Sequence, residues 1–216
     1  VYWCTADPGW VTRASYGVIG PWALGATQCV LDSGFTSSRW YKFIQDNKVT
    51  VWYSAPTAIR ALMKDGEGVV KKFDLSTLRH LASVGEPLNA EAVIWSGEVF
   101  DGKKFHDTFW QTETGAMMIT NYPGMEIRPG SMGKPFPGIE AAVLDLETHE
   151  PVDEPGKVGL IAFRPGWPSM FRRYWKKPDI YRSKFVGADE EAMPDELRTN
   201  SDLWYVSGDR ASIDSD

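Results

Sequence analysis

The chain has 216 residues, 43% hydrophobic and 24% charged, an ordinary globular composition that suffices for one core or two adjoining lobes. Its formal net charge is −6 and its basic residues form no continuous stripe, which argues against nucleic acid as a partner. The sequence has no apolar run of about 18 residues and no charged-then-apolar leader, so we expect neither a membrane span nor a signal peptide.

The cysteines and histidines give no sign of a metal centre. Cys4 and Cys29 are too few and too isolated for a disulfide framework or a zinc site. Two free thiols fit a reducing cytosol, with one bridge between them as the alternative. His80, His106 and His149 show no ligand spacing with one another or with cysteine, so we expect no histidine-based metal site or catalytic dyad. We therefore expect a cytoplasmic protein.

The first half of the chain alternates between strand and helix patterns. Residues 3–25 predict a loop followed by a short apolar helix, and residues 26–31 predict a strand. Helices are expected from Ser37 or Ser38, from Pro56 and from Asn89, because capping residues and proline favour a first turn. A compact β-branched and aromatic run predicts a buried strand at 49–53, and two further strands are predicted at 79–84 and 104–109. This order is typical of a parallel sheet with right-handed crossovers.

The second half is rich in glycine, proline and short alternating runs. Strands are predicted at 117–120, 139–146, 158–163 and 203–207, separated by Pro-Gly turns. A helical insertion is expected near 178–185, and the acidic segment 187–200 is expected to be an exposed loop. The predicted fold class is therefore α/β, with a parallel β-α-β layer in residues 1–120 followed by a β-rich, distorted barrel-like subdomain in residues 121–216.

Polar segments follow the predicted parallel strands at 54–57, 85–87 and 110–113. The carboxyl ends of parallel strands meet at one edge of a sheet, where ligands bind. Glu113 is a candidate for Mg²⁺, with a helix N-terminal acid as an equal alternative. Asp209 could accept hydrogen bonds from both hydroxyls of a ribose, although a turn-capping aspartate is favoured locally. Trp110 alone predicts a core residue as readily as a pocket wall.

Six ordered motifs resemble AMP-forming acetyl-CoA synthetases of the adenylate-forming superfamily. The strongest is DTFWQTETG at 107–115, and the others are WCTADPGWVT at 3–12, YSAPT at 53–57, SVGEPLN at 83–89, PGSMGKP at 129–135 and YVSGD at 205–209. The likeness covers essentially the whole chain. It implies ATP or AMP, acetate and CoA as ligands, with Mg²⁺ as the metal, and a ligase that makes acetyl-AMP before acetyl-CoA.

The resemblance also assigns roles to individual residues. For the nucleotide it implies Gly85, Glu86, Pro87, Asp107, Thr108, Phe109, Trp110, Gln111, Thr112 and Asp209. For the acyl pocket it implies Val11, Thr12, Val84 and Trp110. Thr12 would also lie near CoA, and Glu113 would reach Mg²⁺. Phe109 stands where many relatives carry a second tryptophan, and Arg13 stands beside Thr12 where relatives more usually carry glycine. An arginine there would either obstruct the CoA site or bind a phosphate.

The resemblance further implies an internal fragment of the large N-terminal domain. The family's phosphate loop would lie upstream of Val1 and its catalytic lysine domain beyond Asp216, so the isolated chain is expected to be inactive. Dimerisation or aggregation through lobe edges is expected as well. The alternatives are a non-catalytic nucleotide-binding or interaction module, and an acyl-CoA synthetase for a slightly larger short-chain acid.

Overall fold

A computed structural model describes residues 1–215 of the chain, which folds into two compact units. Unit 1 comprises Val1–Trp110 and Ile119–Lys134, and unit 2 comprises Gln111–Met118 and Pro135–Asp216. The expected fold class is confirmed, because parallel β-α-β structure is followed by antiparallel sheet. Over residues 1–215, no helix is both long enough and apolar enough to cross a bilayer.

Unit 1 is built on a sheet whose first six strands lie in the order β2-β1-β3-β4-β5-β6. The strands are β1 (Tyr2–Cys4), β2 (Gln28–Cys29), β3 (Val51–Ser54), β4 (His80–Ser83), β5 (Phe105–Phe109) and β6 (Ile119–Thr120). All neighbouring pairs from β2 to β5 are parallel, and β6 runs antiparallel to β5. Strand β7 (Lys134–Pro135) stands where the chain passes from one unit to the other.

The helices of unit 1 connect these strands and cover a core rich in aromatic side chains. They are α1 (Val11–Ala14), α2 (Gly20–Ala23), α3 (Ser37–Asp46), α4 (Pro56–Asp65), α5 (Glu67–Val70) and α6 (Ala90–Val99), with a π-helical turn (Ser15–Ile19) between α1 and α2. Trp52 is fully buried and packs against Trp3 with ring centroids 5.9 Å apart. Phe100 and Phe105 contact the same indole. Burial of these rings is a large part of the driving force for folding.

Unit 2 contains a four-stranded antiparallel sheet in the order β10-β11-β9-β8. Its elements are β8 (Ala141–Leu144), β9 (Gly159–Phe163), α7 (Pro178–Arg182), β10 (Phe185–Val186), α8 (Pro194–Thr199) and β11 (Trp204–Ala211). Leu144, Ala162 and Trp204 form a buried cluster on this sheet. Tyr205 is buried on β11 and contacts the rings of Trp167 and Phe185.

Several sequence predictions near the start of the chain are wrong in detail. Residues 2–4 form an inner strand rather than part of a loop, because three apolar residues are too short to give a periodic signal. The strand predicted at 26–31 is reduced to Gln28–Cys29 at the sheet edge. The N-cap of α3 is Thr36, whose Oγ1 accepts from the Arg39 N–H at 3.3 Å, instead of Ser37 or Ser38. Both cysteines are free thiols, so the alternative of a bridge is removed.

One prediction in the second half also needs correction. The segment 187–200 is not all exposed loop, since it contains α8 with Leu197 buried. Pro194 occupies the first turn of α8, and Glu196 accepts from the Met193 N–H at 2.8 Å, which together start a helix in an acidic segment. Residues 119–120 form β6, which pairs antiparallel with β5 in the sheet of unit 1.

A pair of histidines on β4 and β5 is expected to lower the free energy of unfolding in mild acid. The rings of His80 and His106 lie 4.4 Å apart. Burial, with the neighbouring charges of His106 and Arg79, lowers the pKa of His80 to about 4. A histidine whose pKa is lower in the folded state contributes its full stabilisation above its pKa in the unfolded state. This stabilisation is lost as the pH falls towards the pKa of the folded state. We expect His80→Gln to remove on the order of 1–2 kcal/mol of this loss between pH 7 and pH 4, measured by urea unfolding, because solvent screening at a partly exposed ring reduces the effect of the shift.

The control for this measurement is His149→Gln, at an exposed turn of unit 2. It is expected to leave the pH dependence of the unfolding free energy as in the wild type. Parallel loss of stability in wild type and His80→Gln would contradict the prediction.

Candidate functional site

The parallel strands of unit 1 end together at one edge. The register pairs Cys4 with Tyr53, Ser54 with Ser83, and Ser83 with Asp107, so the segments that follow these strands begin at the same level. Gly85 adopts φ +102° after β4, and apart from its two chain neighbours no atom of residues 1–215 lies within 4 Å of the position where a Cβ would stand. Only glycine takes this backbone conformation readily, and it leaves the backbone open to a ligand. The segments predicted to bind a ligand therefore start at one edge of the sheet, and ligand binding there stays a prediction.

Glu86 connects the segment after β4 to the start of α4. Its Oε1 accepts from the Thr57 N–H at 3.2 Å and from the Thr57 hydroxyl, while its Oε2 accepts from Arg60 at 2.6 Å. These hydrogen bonds, first that of Thr57 and then that of Arg60, lower the pKa of Glu86. Glu86 is therefore an ionised residue that caps the start of α4. The bonds also fix the direction of the Gly85–Pro87 turn.

Asp107 connects β5 to the segment that follows this turn through a hydrogen bond. Its carboxylate accepts from the Thr108 N–H at 3.0 Å and from the Leu88 N–H at 3.4 Å. Burial raises the pKa of Asp107 to about 6, although the two backbone hydrogen bonds oppose the shift. The backbone of Asp107 is held by Asn121, which binds its N–H through Oδ1 at 2.8 Å. Three of the predicted nucleotide-binding positions, 85, 86 and 107, therefore belong to one connected frame.

Trp110 is buried and its indole is held on two sides. Its Nε1–H donates to the hydroxyl of Tyr53 at 3.2 Å, and its ring packs edge-on against Tyr16 with centroids 5.0 Å apart. Tyr16 lies in the π-helical turn that follows α1, so Trp110 contacts the helical segment that begins with Val11 and Thr12. Val84 is buried directly after β4. The grouping of these side chains into one acyl pocket stays a prediction.

Arg13 folds back onto the sheet of unit 1. Its Nη1 donates to the carbonyl of Cys4, at the carboxyl end of β1. The sequence left two roles open for this arginine, obstruction of the CoA site or binding of a phosphate. Neither role is decided by this contact. Thr12 is half-buried beside it, and its place in the acyl pocket and near CoA stays a prediction.

In unit 2 the segment 111–115 is a tightly held turn. The buried hydroxyl of Thr114 accepts from the Gln111 N–H at 2.9 Å. The Thr114 carbonyl accepts from the Trp167 indole at 2.9 Å and from the Ser169 hydroxyl at 2.7 Å. Gly115 has φ +70°, and a Cβ there would overlap the Ser169 carbonyl oxygen. The turn is therefore fixed on both sides of Glu113.

Gln111 joins this turn to strand β11. Its Nε2 donates to Asp209 Oδ2 at 2.8 Å and to the Ser207 carbonyl at 3.1 Å, and its Oε1 accepts from the Tyr205 hydroxyl at 3.0 Å. Asp209 is exposed and lies where the pairing of β11 with β9 shifts register. Its carboxylate is bonded to Gln111, so the turn-capping alternative favoured from the sequence is wrong. The structure offers Asp209 as an oriented, solvent-facing acceptor.

Glu113 is oriented by an aromatic hydroxyl. Tyr174 donates to Glu113 Oε1 at 2.9 Å, and burial together with the Glu113 charge raises the pKa of Tyr174. Glu113 lies in a turn and not at the start of a helix, which removes the helix-dipole alternative. Across residues 1–215, no group of three or more histidine, cysteine or acidic residues could hold a metal by itself. One carboxylate that shares a cation with substrate phosphates fits Mg²⁺.

The sequence did not single out several residues that the structure places against the predicted site residues. Tyr53 and Tyr205 lie inside recognised motifs, yet nothing in their spacing indicates bonds to Trp110 and Gln111. Tyr174 and Arg60 lie outside those motifs, and no local pattern could have linked them to Glu113 and Glu86. Thr112 is exposed, and Phe109 is half-buried at the end of β5.

A comparison with protein-family models identifies the chain. The model described as AMP-binding enzyme matches residues 1–175, which is most of the chain. The chain belongs to the AMP-binding enzyme family. The resemblance inferred from the motifs is thereby confirmed at the level of the family.

Individual members of the AMP-binding enzyme family are similar over the full chain. The chain is 48% identical to the acetyl-coenzyme A synthetase of Bacillus subtilis and covers 35% of that protein. It is 43% identical to the acetyl-coenzyme A synthetase of Nitrosomonas europaea and covers 32% of it. The crystal structure of Brucella canis acyl-CoA synthetase matches with a TM-score of 0.80 and 31% identity, and the chain covers 36% of it. The chain spans about a third of the length of the relatives it matches.

Proposed function

We propose that this AMP-binding enzyme chain forms part of an acetate–CoA ligase that activates acetate with ATP and then transfers the acetyl group to CoA. The observation that carries the proposal is the fixed indole of Trp110 at the predicted ligand-binding edge of unit 1. The similarity to acetyl-coenzyme A synthetases over the whole chain supports it. The two free thiols support a cytoplasmic location.

In the first step an acetate oxygen attacks the α-phosphorus of ATP. This forms acetyl-AMP and releases pyrophosphate. In the second, the CoA thiolate attacks the acetyl carbonyl carbon and AMP leaves. The protein contributes position and charge rather than covalent chemistry. Gly85, Glu86, Pro87 and residues 107–112 hold the adenine and α-phosphate, and the carboxylate of Asp209 accepts from the ribose hydroxyls. Thr12 serves both the acyl group and CoA.

Glu113 is the residue that would hold Mg²⁺. Bound there, the ion would supply neutralisation of the charge that develops on the phosphate oxygens. Tyr174 keeps the carboxylate in one orientation. The rigid turn around Thr114 supports the same orientation from the backbone.

Trp110 limits the acid by size, together with Val11, Thr12 and Val84. We expect the complete gene product to form AMP fastest with acetate, more slowly with propionate and slowest with butyrate. Trp110→Gly should raise the butyrate-to-acetate ratio of kcat/KM by about tenfold or more, because removal of the indole opens the space that an extra methylene needs. The rate of AMP release in the presence of CoA is measured for the wild type and for Trp110→Gly with each of the three acids.

The matched control is Trp175→Gly, since Trp175 is 83% exposed in unit 2. Its acyl preference should equal that of the wild type. A wild type that prefers butyrate, or a Trp110→Gly variant with an unchanged ratio, would count against acetate as the substrate and favour a ligase for a larger acid.

A further inference from the structure

Four groups in the interior of unit 1 form one chain of hydrogen bonds. The Trp110 indole Nε1–H donates to the Tyr53 hydroxyl at 3.2 Å, and the Tyr53 hydroxyl lies 2.7 Å from Thr108 Oγ1. Thr108 Oγ1 donates to the Ser83 carbonyl at 2.7 Å. Tyr53, Thr108 and Ser83 stand on the adjacent parallel strands β3, β5 and β4, and Trp110 directly follows β5.

The direction of every bond in this chain is determined. A carbonyl oxygen only accepts, so the single hydroxyl proton of Thr108 goes to Ser83. Thr108 must then accept from Tyr53, whose proton is committed to that bond. Tyr53 therefore uses its oxygen lone pairs to accept from the indole, which can only donate. Burial raises the pKa of Tyr53, so its hydroxyl keeps this proton over the working pH range.

Two predicted walls of the acyl pocket stand at the ends of this chain. Trp110 is at one end, and Val84 is the residue after Ser83 at the other. Tyr16 closes a triangle of rings, since it packs edge-on against Tyr53 at 5.8 Å and against Trp110 at 5.0 Å. Packing alone leaves an indole free to slide in its plane, whereas a hydrogen bond to Nε1 fixes its rotation.

We propose that Tyr53 is a specificity-determining positioning residue, whose hydroxyl fixes the Trp110 indole relative to Val84 and so sets the length of acid that the pocket admits. This inference rests on the proposed function, because it gives Trp110 and Val84 their acyl-pocket roles. Tyr53 itself need not touch the acid. The hydroxyl acts through the indole, and its loss should change the choice between acids more than the rate of the reaction.

The test is Tyr53→Phe in the complete gene product. The ring and its packing remain, while the indole N–H loses its acceptor in a buried site. We expect the propionate-to-acetate ratio of kcat/KM to rise by about three- to tenfold, through a higher KM for acetate, with the KM for ATP unchanged. Tyr41→Phe is the matched control, because Tyr41 is fully buried in unit 1 and its hydroxyl has no hydrogen-bond partner among residues 1–215. The control should keep the wild-type ratio.

A double-substitution cycle separates positioning from general loss of structure. Trp110→Phe removes the indole N–H, so adding Tyr53→Phe to it should produce little further change in the ratio. If Tyr53→Phe does not fold, Thr108→Val interrupts the same chain at its next member and should shift the ratio in the same direction. An unchanged ratio in an acetate-activating Tyr53→Phe enzyme, or fully additive effects in the cycle, would overturn the inference alone. A wild type that activates no short-chain acid would overturn the proposed function first, and the inference with it.

Discussion

Replacement of Glu113 by glutamine is expected to slow acetate-dependent pyrophosphate exchange by on the order of a hundred- to a thousandfold. Glutamine keeps the size of the side chain and an acceptor for Tyr174, but it removes the charge that a shared Mg²⁺ requires. The loss should appear mainly in kcat, because the charge that the cation would stabilise develops during adenylyl transfer. Initial rates at saturating ATP and acetate over a Mg²⁺ series measure it.

Two variants frame this result. Tyr174→Phe keeps the carboxylate and removes only the hydrogen bond that orients it, so its loss of rate should be smaller than that of Glu113→Gln. Glu147→Gln removes an exposed acid elsewhere in unit 2 and should have no effect. Activity of Glu113→Gln close to that of the wild type, at every Mg²⁺ concentration, would contradict the role of Glu113 as a metal ligand.

Asp209→Ala is expected to raise the KM for ATP by roughly a hundredfold, because hydrogen bonds to a charged group contribute about 1.5–3 kcal/mol and the carboxylate would accept two from the ribose. Asp209→Asn keeps one oxygen and should give an intermediate value. The KM for acetate should change little in both variants. Steady-state kinetics with ATP and with 2′-deoxy-ATP measure the effect.

The deoxynucleotide makes the Asp209 experiment specific. The wild type should discriminate strongly between ATP and 2′-deoxy-ATP, and Asp209→Ala should lose most of that discrimination. Asp202→Ala is the control, since Asp202 is exposed near the start of β11 and Arg164 binds its backbone carbonyl rather than its carboxylate. Retained discrimination in Asp209→Ala would rule out ribose binding by this residue.

The parallel sheet and its helices could be predicted from the sequence because the patterns that indicate them are local. Short strand patterns recur at Val51–Ser54, His80–Ser83 and Phe105–Phe109, with helices of ordinary length between them. Parallel pairing of the three strands follows from that order. Strand β1 was missed because three residues carry no period. Helix α8 was missed because an acidic segment with one buried leucine resembles a surface loop.

The candidate site could be predicted only in part, because its side-chain contacts are not local. Motifs identify Glu113, Asp209 and Trp110 as polar or bulky residues at the ends of elements, but the groups that orient them lie far away in sequence. Tyr174 reaches Glu113 across 61 positions and Tyr53 reaches Trp110 across 57. Such pairs depend on the tertiary fold, which spacing along the chain does not encode.

The division into residues 1–120 and 121–216 stays a prediction about domains. The compact units of the structure interleave, since residues 111–118 belong to unit 2 while residues 119–134 return to unit 1. The predicted nucleotide-binding residues are correspondingly shared between the two units. Gly85, Glu86, Pro87 and 107–110 belong to unit 1, and Gln111, Thr112 and Asp209 belong to unit 2.

The most direct test of the proposed acetate activation is exchange of labelled pyrophosphate into ATP by the complete gene product. Exchange requires reversible formation of an acyl-adenylate, so it isolates the first half-reaction from transfer to CoA. We predict exchange that depends on both acetate and Mg²⁺ and that falls in Glu113→Gln. Absence of acetate-dependent exchange in a folded protein that still binds AMP would contradict acetate activation and favour a nucleotide-binding module without catalysis.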